Sequence, residues 1–204
     1  MTYSAVRLAL KPVLRLLWRV EVSGLERLPD GGCVVVANHE SVLDPLLLGV
    51  ALPRRVRFVA KAELWRSRWL GPWLRSLGAI PVVRGTGDRE ALRAATEALQ
   101  AGELVGIFPE GTVLRGGHGV WKRGAARLAV ACGAPIVPVA IVDSARAFRP
   151  VLRRLGFPIV HIVVGEPIAV EPTEATPRSL AELTAQARSA VARLGEMPLG
   201  AGEG

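Results

Sequence analysis

The feature that most constrains this chain is an alternation of short segments rich in Val and Ile with segments of helical spacing. The predicted strands cover residues 33–37, 56–60, 79–83, 104–108, 136–142 and 159–164. The predicted helices cover residues 46–52, 89–101, 122–132 and 179–194. The strand segments do not alternate apolar with polar residues, so both of their faces are expected to be buried. The pattern predicts an α/β fold in which helices cover a largely parallel mixed sheet.

The length and the hydrophobicity fit one domain with a substantial core. Half of the 204 residues are hydrophobic, which excludes a disordered chain. No stretch approaches the ~18 uncharged apolar residues of a membrane-spanning helix, which argues against a polytopic membrane protein. We predict a single domain over residues 21–195, followed by a flexible tail over residues 196–204.

The net charge of +8 is unevenly distributed along the chain. Residues 1–75 contain 12 basic and 6 acidic residues, and the remaining positions are nearly balanced. A basic first third favours an anionic partner, which is a nucleic acid, a membrane surface or a phosphorylated substrate.

Residues 1–20 are predicted to form an amphipathic basic helix that contacts a membrane. Basic residues recur every four positions, at Arg7, Lys11, Arg15 and Arg19, and Leu, Val and Trp occupy most of the remainder. Such a helix is suited to a membrane interface, with its arginine tips toward anionic headgroups. The alternative is a terminal helix that packs on its own domain and leaves its basic edge in solvent.

Residues 64–77 combine tryptophan with arginine. Trp65, Trp69 and Trp73 recur at four-residue spacing, and a Gly-Pro pair at 71–72 predicts two short helices or a helix and a turn. Tryptophan beside arginine is typical of a membrane-facing segment. Packing of some of these indole rings in the core is the alternative.

A histidine and a carboxylate follow the first predicted strand in the sequence Asn38-His39-Glu40-Ser41-Val42-Leu43-Asp44-Pro45. The carboxyl end of a strand is where α/β proteins bind ligands. If the chain curls back, Asp44 accepts one ring N–H of His39, and the other nitrogen becomes a general base. The alternative is structural: Asp44 would be a helix N-cap before Pro45, in a capping box with Ser41, and His39 an ordinary loop residue.

A second cluster follows the other predicted strands. Phe108-Pro109-Glu110-Gly111-Thr112 ends a strand in a turn, whose amides are candidate oxyanion donors. Four cations are expected at the same edge of the sheet: Lys61, Arg84, Arg115 and Lys122. Together they predict a phosphate-binding basin, although each alone fits a solvated surface charge. The three histidines lack metal-ligand spacing, so we predict no metal site.

Several blocks in this order resemble the glycerolipid acyltransferase family. The family's N-H-x-x-x-x-D block matches Asn38, His39 and Asp44, and its G-x-I-x-x-x-R block matches residues 78–84. Its F-P-E-G-T block matches residues 108–112, and a V-P-V-like block matches residues 135–139. Shorter matches are Lys61-Ala-Glu-Leu64, similar to K-x-E-L, and Lys122-Arg-Gly124, similar to K-x-G. The matches extend over roughly residues 20–170.

The resemblance implies transfer of a fatty acyl group from a thioester to the free hydroxyl of a lysophospholipid, most simply 1-acyl-sn-glycerol 3-phosphate. The expected donor is acyl-CoA or acyl carrier protein, with no cofactor, no metal and no nucleic-acid partner. The expected location is the cytoplasmic face of a membrane, in peripheral or monotopic association. His39 is then the general base and Asp44 its partner. The substrate-binding residues implied are Asn38, Lys61, Arg84, Glu110, Gly111, Thr112, Arg115 and Lys122.

One departure from the family pattern concerns the acceptor. Family members usually carry Arg immediately after F-P-E-G-T, whereas this chain has Val113, and the nearest cation is Arg115. Either Arg115 reaches the same phosphate from a reshaped loop, or the acceptor is not lysophosphatidic acid. Two alternatives of another class also stay open: hydrolysis of the thioester by the same His-Asp pair, and non-enzymatic binding of anionic lipid or nucleic acid.

Overall fold

A computed structural model describes residues 19–83, 89–113, 119–147, 159–171 and 175–197 of the chain. The strands are β1 (Arg19–Ser23), β2 (Cys33–Ala37), β3 (Val56–Lys61), β4 (Ile80–Val82), β5 (Leu104–Ile107), β6 (Ile136–Val142) and β7 (Ile159–Val164). The α-helices are α1 (Asp44–Ala51), α2 (Leu70–Leu77), α3 (Arg89–Gln100), α4 (Gly124–Cys132), α5 (Ser144–Ala147) and α6 (Pro177–Gly195). Short 3-10 helices cover Leu25–Arg27 and Ala62–Arg66.

The seven described strands form one sheet in the order β1-β7-β6-β2-β5-β3-β4. Neighbouring strands are parallel except β6 and β7, which are antiparallel. The predicted largely parallel α/β sheet is therefore confirmed. All six predicted strands are present, and their ends agree with the prediction to within one residue.

Strand β1 is a correction to the sequence analysis. We predicted a helix over residues 1–20, but Arg19 and Val20 belong to a strand that pairs with β7. Residues 1–18 of that helix lie outside the described residues. Because β1 is an edge strand with one neighbour, its residues alternate between exposed and half-buried, and it lacks the apolar run that marks the central strands.

Strand β2 lies at the centre of the sheet and is buried on both faces. Cys33, Val35 and Ala37 belong to a core cluster with Leu47 and Leu48 of α1. The alternate residues, Val34 and Val36, belong to a second cluster with residues of α3, α4 and α6. The helices thus form a layer on each side of the sheet, which explains why the central strands read as continuous apolar runs.

The topology brings several loops to one edge of the sheet. Strands β2, β5, β3 and β4 are neighbours in that order and run parallel, so the loops that follow them leave from the same edge. We call this the carboxyl edge. Because β7 is antiparallel to β6, it begins at this edge, and β1 begins beside it. Over the described ranges, no helix combines the length and the hydropathy needed to cross a bilayer.

Candidate active site

His39 and Asp44 meet at the carboxyl edge, immediately after β2. The Nδ1 atom of His39 lies 2.9 Å from Oδ2 of Asp44. The His39 side chain is 14% exposed and Asp44 is completely buried. Nδ1 is therefore held by the carboxylate, which leaves Nε2 as the nitrogen that can take a proton from a substrate.

The chain curls around the Asp44 carboxylate, as the sequence analysis required. The backbone N–H groups of Glu40 and Ser41 donate to the same Oδ2 atom at 2.9 and 2.8 Å. The N-cap part of the structural alternative is wrong, because Leu43 occupies the cap position and Asp44 is the first residue of α1. The contact between the Ser41 N–H and the Asp44 carboxylate is the one that a capping box between these residues predicts. The carboxylate instead organises the loop that precedes the helix, while the positive end of the helix dipole stabilises its charge.

Phe108 stacks on the imidazole of His39, a contact that the sequence analysis missed. Its ring stacks on the His39 ring with centroids 4.3 Å apart, and Phe58 stacks on Phe108 at 5.8 Å. Phe108 follows β5, the neighbour of β2, so the sheet order creates the contact. The signal in the sequence was an aromatic residue at the end of a strand, but the neighbour of that strand was unknown.

Asn38 was expected to contact substrate, and the structure gives its side chain another partner. Its Nδ2 atom donates to the carbonyl of Ile141 at 2.8 Å, and its Oδ1 atom accepts from the N–H of Ile141 at 2.8 Å. The amide therefore joins the end of β2 to β6, across 103 residues of sequence. This contact holds the residue before His39 in place.

Glu110 is also a buried residue. Burial raises the pKa of Glu110 above its ordinary value, and the neighbouring Trp121 side chain and His39 partly oppose that shift. Its Oε2 atom is buried without a hydrogen-bond partner among the described residues. Glu110 is therefore a buried titratable group close to His39.

The turn after β5 has a defined conformation. Gly111 has a φ of 65°, in the left-handed region that glycine adopts readily. Its N–H donates to the Phe108 carbonyl at 3.0 Å. That amide, which we considered as an oxyanion donor, is therefore used to close the turn. Thr112 follows it and is exposed at the carboxyl edge.

Two of the four expected cations, Lys61 and Lys122, lie among the described residues. Lys61 ends β3 and is half-buried, and Lys122 follows the loop after β5 and is exposed. Only β5 separates strands β2 and β3, so the axes of these two strands are about 10 Å apart. His39 lies just beyond the end of β2, and Lys61 is the last residue of β3. Arg84 and Arg115 lie outside the described residues. Within the described ranges, no cluster of His, Cys, Asp and Glu has an arrangement that could hold a metal ion.

The arrangement is suited to general-base catalysis at the edge of a sheet. A buried carboxylate fixes one imidazole nitrogen, an aromatic ring stacks on the imidazole, and the Asn38 side chain fixes the residue before it. Such a base activates a hydroxyl group or a water molecule for attack on a carbonyl.

Comparison with known proteins identifies the class to which this site belongs. The family model described as Acyltransferase matches residues 19–142, the part of the chain that carries the sheet up to β6 and the site. The chain belongs to this acyltransferase family. It is accordingly an enzyme of the acyltransferase class, which confirms the resemblance described above.

The relatives narrow the class further. A 1-acyl-sn-glycerol-3-phosphate acyltransferase of Bacillus subtilis is 39% identical over 135 residues, which cover 65% of this chain and 67% of the relative. One from Pseudomonas aeruginosa is 32% identical over 177 residues, covering 84% of this chain and 66% of the relative. The crystal structure of the 1-acyl-sn-glycerophosphate (LPA) acyltransferase PlsC from Thermotoga maritima matches with a TM-score of 0.70 at 26% identity. It covers 97% of this chain and 81% of that one.

Proposed function

We propose that this chain transfers a fatty acyl group from a thioester to the free hydroxyl of 1-acyl-sn-glycerol 3-phosphate, giving phosphatidic acid for phospholipid synthesis. The observation that carries the proposal is the 2.9 Å contact between His39 and a buried Asp44 at the carboxyl edge. The names of the matched relatives supply the acceptor.

The chemistry proceeds in one transfer. His39 Nε2 takes the proton of the acceptor hydroxyl as the oxygen attacks the thioester carbonyl, and Asp44 stabilises the imidazolium that forms. The C–S bond then breaks, and the proton passes from His39 to the leaving thiolate. Because a thiolate is a good leaving group, the reaction requires no cofactor or metal beyond the acyl donor, which is coenzyme A or acyl carrier protein.

Acceptor binding falls to the cations of the carboxyl edge. We assign Lys61 to the acceptor phosphate, because it ends β3, two strands away from the strand that His39 follows, and the glycerol unit would then extend toward His39 across β5. Arg84, Arg115 and Lys122 are the further candidates from the sequence. Holding the phosphate at a fixed distance orients the hydroxyl toward the base, and orientation of this kind contributes as much as the base itself. The membrane surface supplies the lipid acceptor, and we place the enzyme on its cytoplasmic face.

Val113 favours one alternative within the same reaction. It is a half-buried apolar residue at the position where the family usually carries Arg. Without that cation, either Arg115 binds the acceptor phosphate or the acceptor is not lysophosphatidic acid. The reaction and the role of His39 are the same in both cases.

An acceptor screen tests the proposal. The purified full chain is mixed in detergent micelles with labelled acyl-CoA or acyl carrier protein and one acceptor: lysophosphatidic acid, lysophosphatidylglycerol, lysophosphatidylcholine or glycerol 3-phosphate. We expect labelled phosphatidic acid, and a loss of about 10²–10⁴-fold with His39→Ala. An ester formed only on another acceptor would identify the Val113 alternative, and free fatty acid as the sole product would replace transfer with hydrolysis.

A further inference from the structure

The exposed apolar side chains of the described residues are concentrated at one edge of the molecule. Eight large apolar side chains are exposed in the described ranges. Six of them lie on the loops after β2, β3, β4 and β5 or at the start of β7: Val42, Leu64, Trp69, Val83, Val120 and Ile159. All of these positions belong to the carboxyl edge, where His39 also lies. Single exposed apolar residues are ordinary, but their concentration at one edge marks an interaction surface.

Trp69 is the most exposed of these residues. It is 89% exposed, whereas Trp65 and Trp73 are half-buried. The N–H of Gly71 donates to the carbonyl of Ser67 at 2.9 Å, so the chain turns tightly around Trp69. The indole ring is therefore presented to the outside by the packed segment of residues 62–77. Trp69 therefore fits the membrane-facing role that the sequence suggested, whereas Trp65 and Trp73 fit the alternative of packing against the domain.

The charge beside Trp69 is mainly positive. Arg66 and Arg68 are exposed on either side of it, and Glu63 is the exposed acidic residue of the same segment. At the other end of the sheet, Arg19 is exposed at the start of β1, which also begins at the carboxyl edge, and it pairs with Glu21 at 3.6 Å. An exposed indole between arginines is the combination that lipid–water interfaces favour.

We propose that the carboxyl edge docks on an anionic bilayer, with Trp69 in the interfacial region and Arg66 and Arg68 on lipid phosphates. This inference rests on the proposed acyl transfer in one respect: docking in this orientation would face His39 toward the lipid acceptor. Val120 and Val42, which are 85% and 62% exposed, would enter the same interface from the loops after β5 and β2. A bilayer is favoured over a protein partner because these side chains come from separate loops. A lipid interface accepts scattered apolar groups, whereas a stable protein interface needs about 800 Å² of complementary surface on each partner.

Sedimentation with lipid vesicles tests the surface. The full chain is mixed with vesicles of phosphatidylcholine containing phosphatidylglycerol, and in parallel with vesicles of phosphatidylcholine alone. The test variants are Trp69→Ser and the double variant Arg66→Gln/Arg68→Gln. The matched control is Arg188→Gln/Arg193→Gln, which removes two exposed arginines from α6, a helix that covers a face of the sheet. Acyl transfer to acceptor dispersed in detergent micelles is measured for each variant.

We expect each arginine removed from the edge to weaken binding to the anionic vesicles about fivefold. We expect Trp69→Ser to weaken binding to both vesicle types, and the control to bind as the parent does. Transfer in micelles should be unchanged in all variants. Parent-like vesicle binding by both test variants would overturn the docking surface. If the same variants also bound acidic acyl carrier protein more weakly than the parent does, the edge would be a docking surface for that protein and not for a bilayer. If the parent transfers no acyl group but the edge variants still lose vesicle binding, the docking surface stands and the proposed function fails.

Discussion

Asp44 accepts three hydrogen bonds at one oxygen: from the His39 ring at 2.9 Å and from the backbone N–H groups of Glu40 and Ser41. One carboxylate therefore shapes the loop and also fixes the orientation of the imidazole. These two tasks are separable by mutation, because an amide retains the acceptor oxygen but loses the charge.

Asp44→Asn is expected to leave the loop largely folded and to lower kcat. The asparagine oxygen still accepts from the backbone, but it no longer stabilises the imidazolium that forms when His39 takes a proton. We expect kcat to fall about 10²–10⁴-fold, the range of general-base catalysis itself. Steady-state kinetics in micelles, together with urea unfolding, would check this. Asp44→Ala is the comparison, since it also leaves two backbone donors unpaired and should cost about 1–3 kcal/mol of stability. An asparagine variant with parental kcat would remove Asp44 from the mechanism.

Asn38→Ala is expected to act on position and not on substrate affinity. The variant leaves the N–H and carbonyl of Ile141 without their side-chain partner, which should cost about 1–3 kcal/mol in the free energy of unfolding. Because the residue before the base is then less constrained, kcat should fall while KM for the acceptor stays near the parental value. A rise in KM with an unchanged kcat would instead restore the substrate contact that the sequence suggested.

Glu110→Gln is expected to change how stability depends on pH. Burial raises the pKa of Glu110 above the ordinary value of 4.5, so the native state holds the proton more tightly than the unfolded state. The contribution of Glu110 to stability is therefore fully present below pH 4.5 and is lost as pH rises through the pKa of the folded state. Glutamine has no carboxyl proton to lose. The free energy of unfolding of the Glu110→Gln variant, minus that of the parent, should therefore increase with pH over this window.

Urea denaturation of both proteins between pH 4 and pH 8 measures that difference. Glu40, whose pKa is also raised by burial, is present in both proteins, so its own contribution largely cancels. A difference that stays constant across the whole range would show that Glu110 does not titrate as its burial requires.

Gly106→Ala is expected to disturb the site through two aromatic rings. A Cβ atom at Gly106 would lie 2.6 Å from the Phe58 ring, which stacks on Phe108, which in turn supports His39. Overpacking of this kind costs about 1–3 kcal/mol, and the shifted rings should also lower kcat. Gly31→Ala is the matched control, because nothing lies within 4 Å of the added atom. Equal kcat values for the two variants would show that the stacked rings do not position the base.

The sequence predicted those features that depend on residues close together in the chain. Strand β2 was predicted with its observed bounds, because five consecutive apolar residues can only be buried on both faces. The contact between His39 and Asp44 was predicted because the two residues are five positions apart and the curl of the chain between them is a local property. Strand β1 was missed because an edge strand has one partner and no continuous apolar run.

What the sequence alone determined is the list of reactive groups and the fold class that presents them: the His-Asp pair, the turn after β5, the cations and the α/β alternation. Only the tertiary structure decided which groups meet. It placed Ile141 against Asn38 and Phe108 against His39, and it left Trp69 exposed while Trp65 and Trp73 became half-buried. The physical reason is that these contacts join residues far apart in the chain, and the order of strands in the sheet, which brings them together, leaves no local pattern in the sequence.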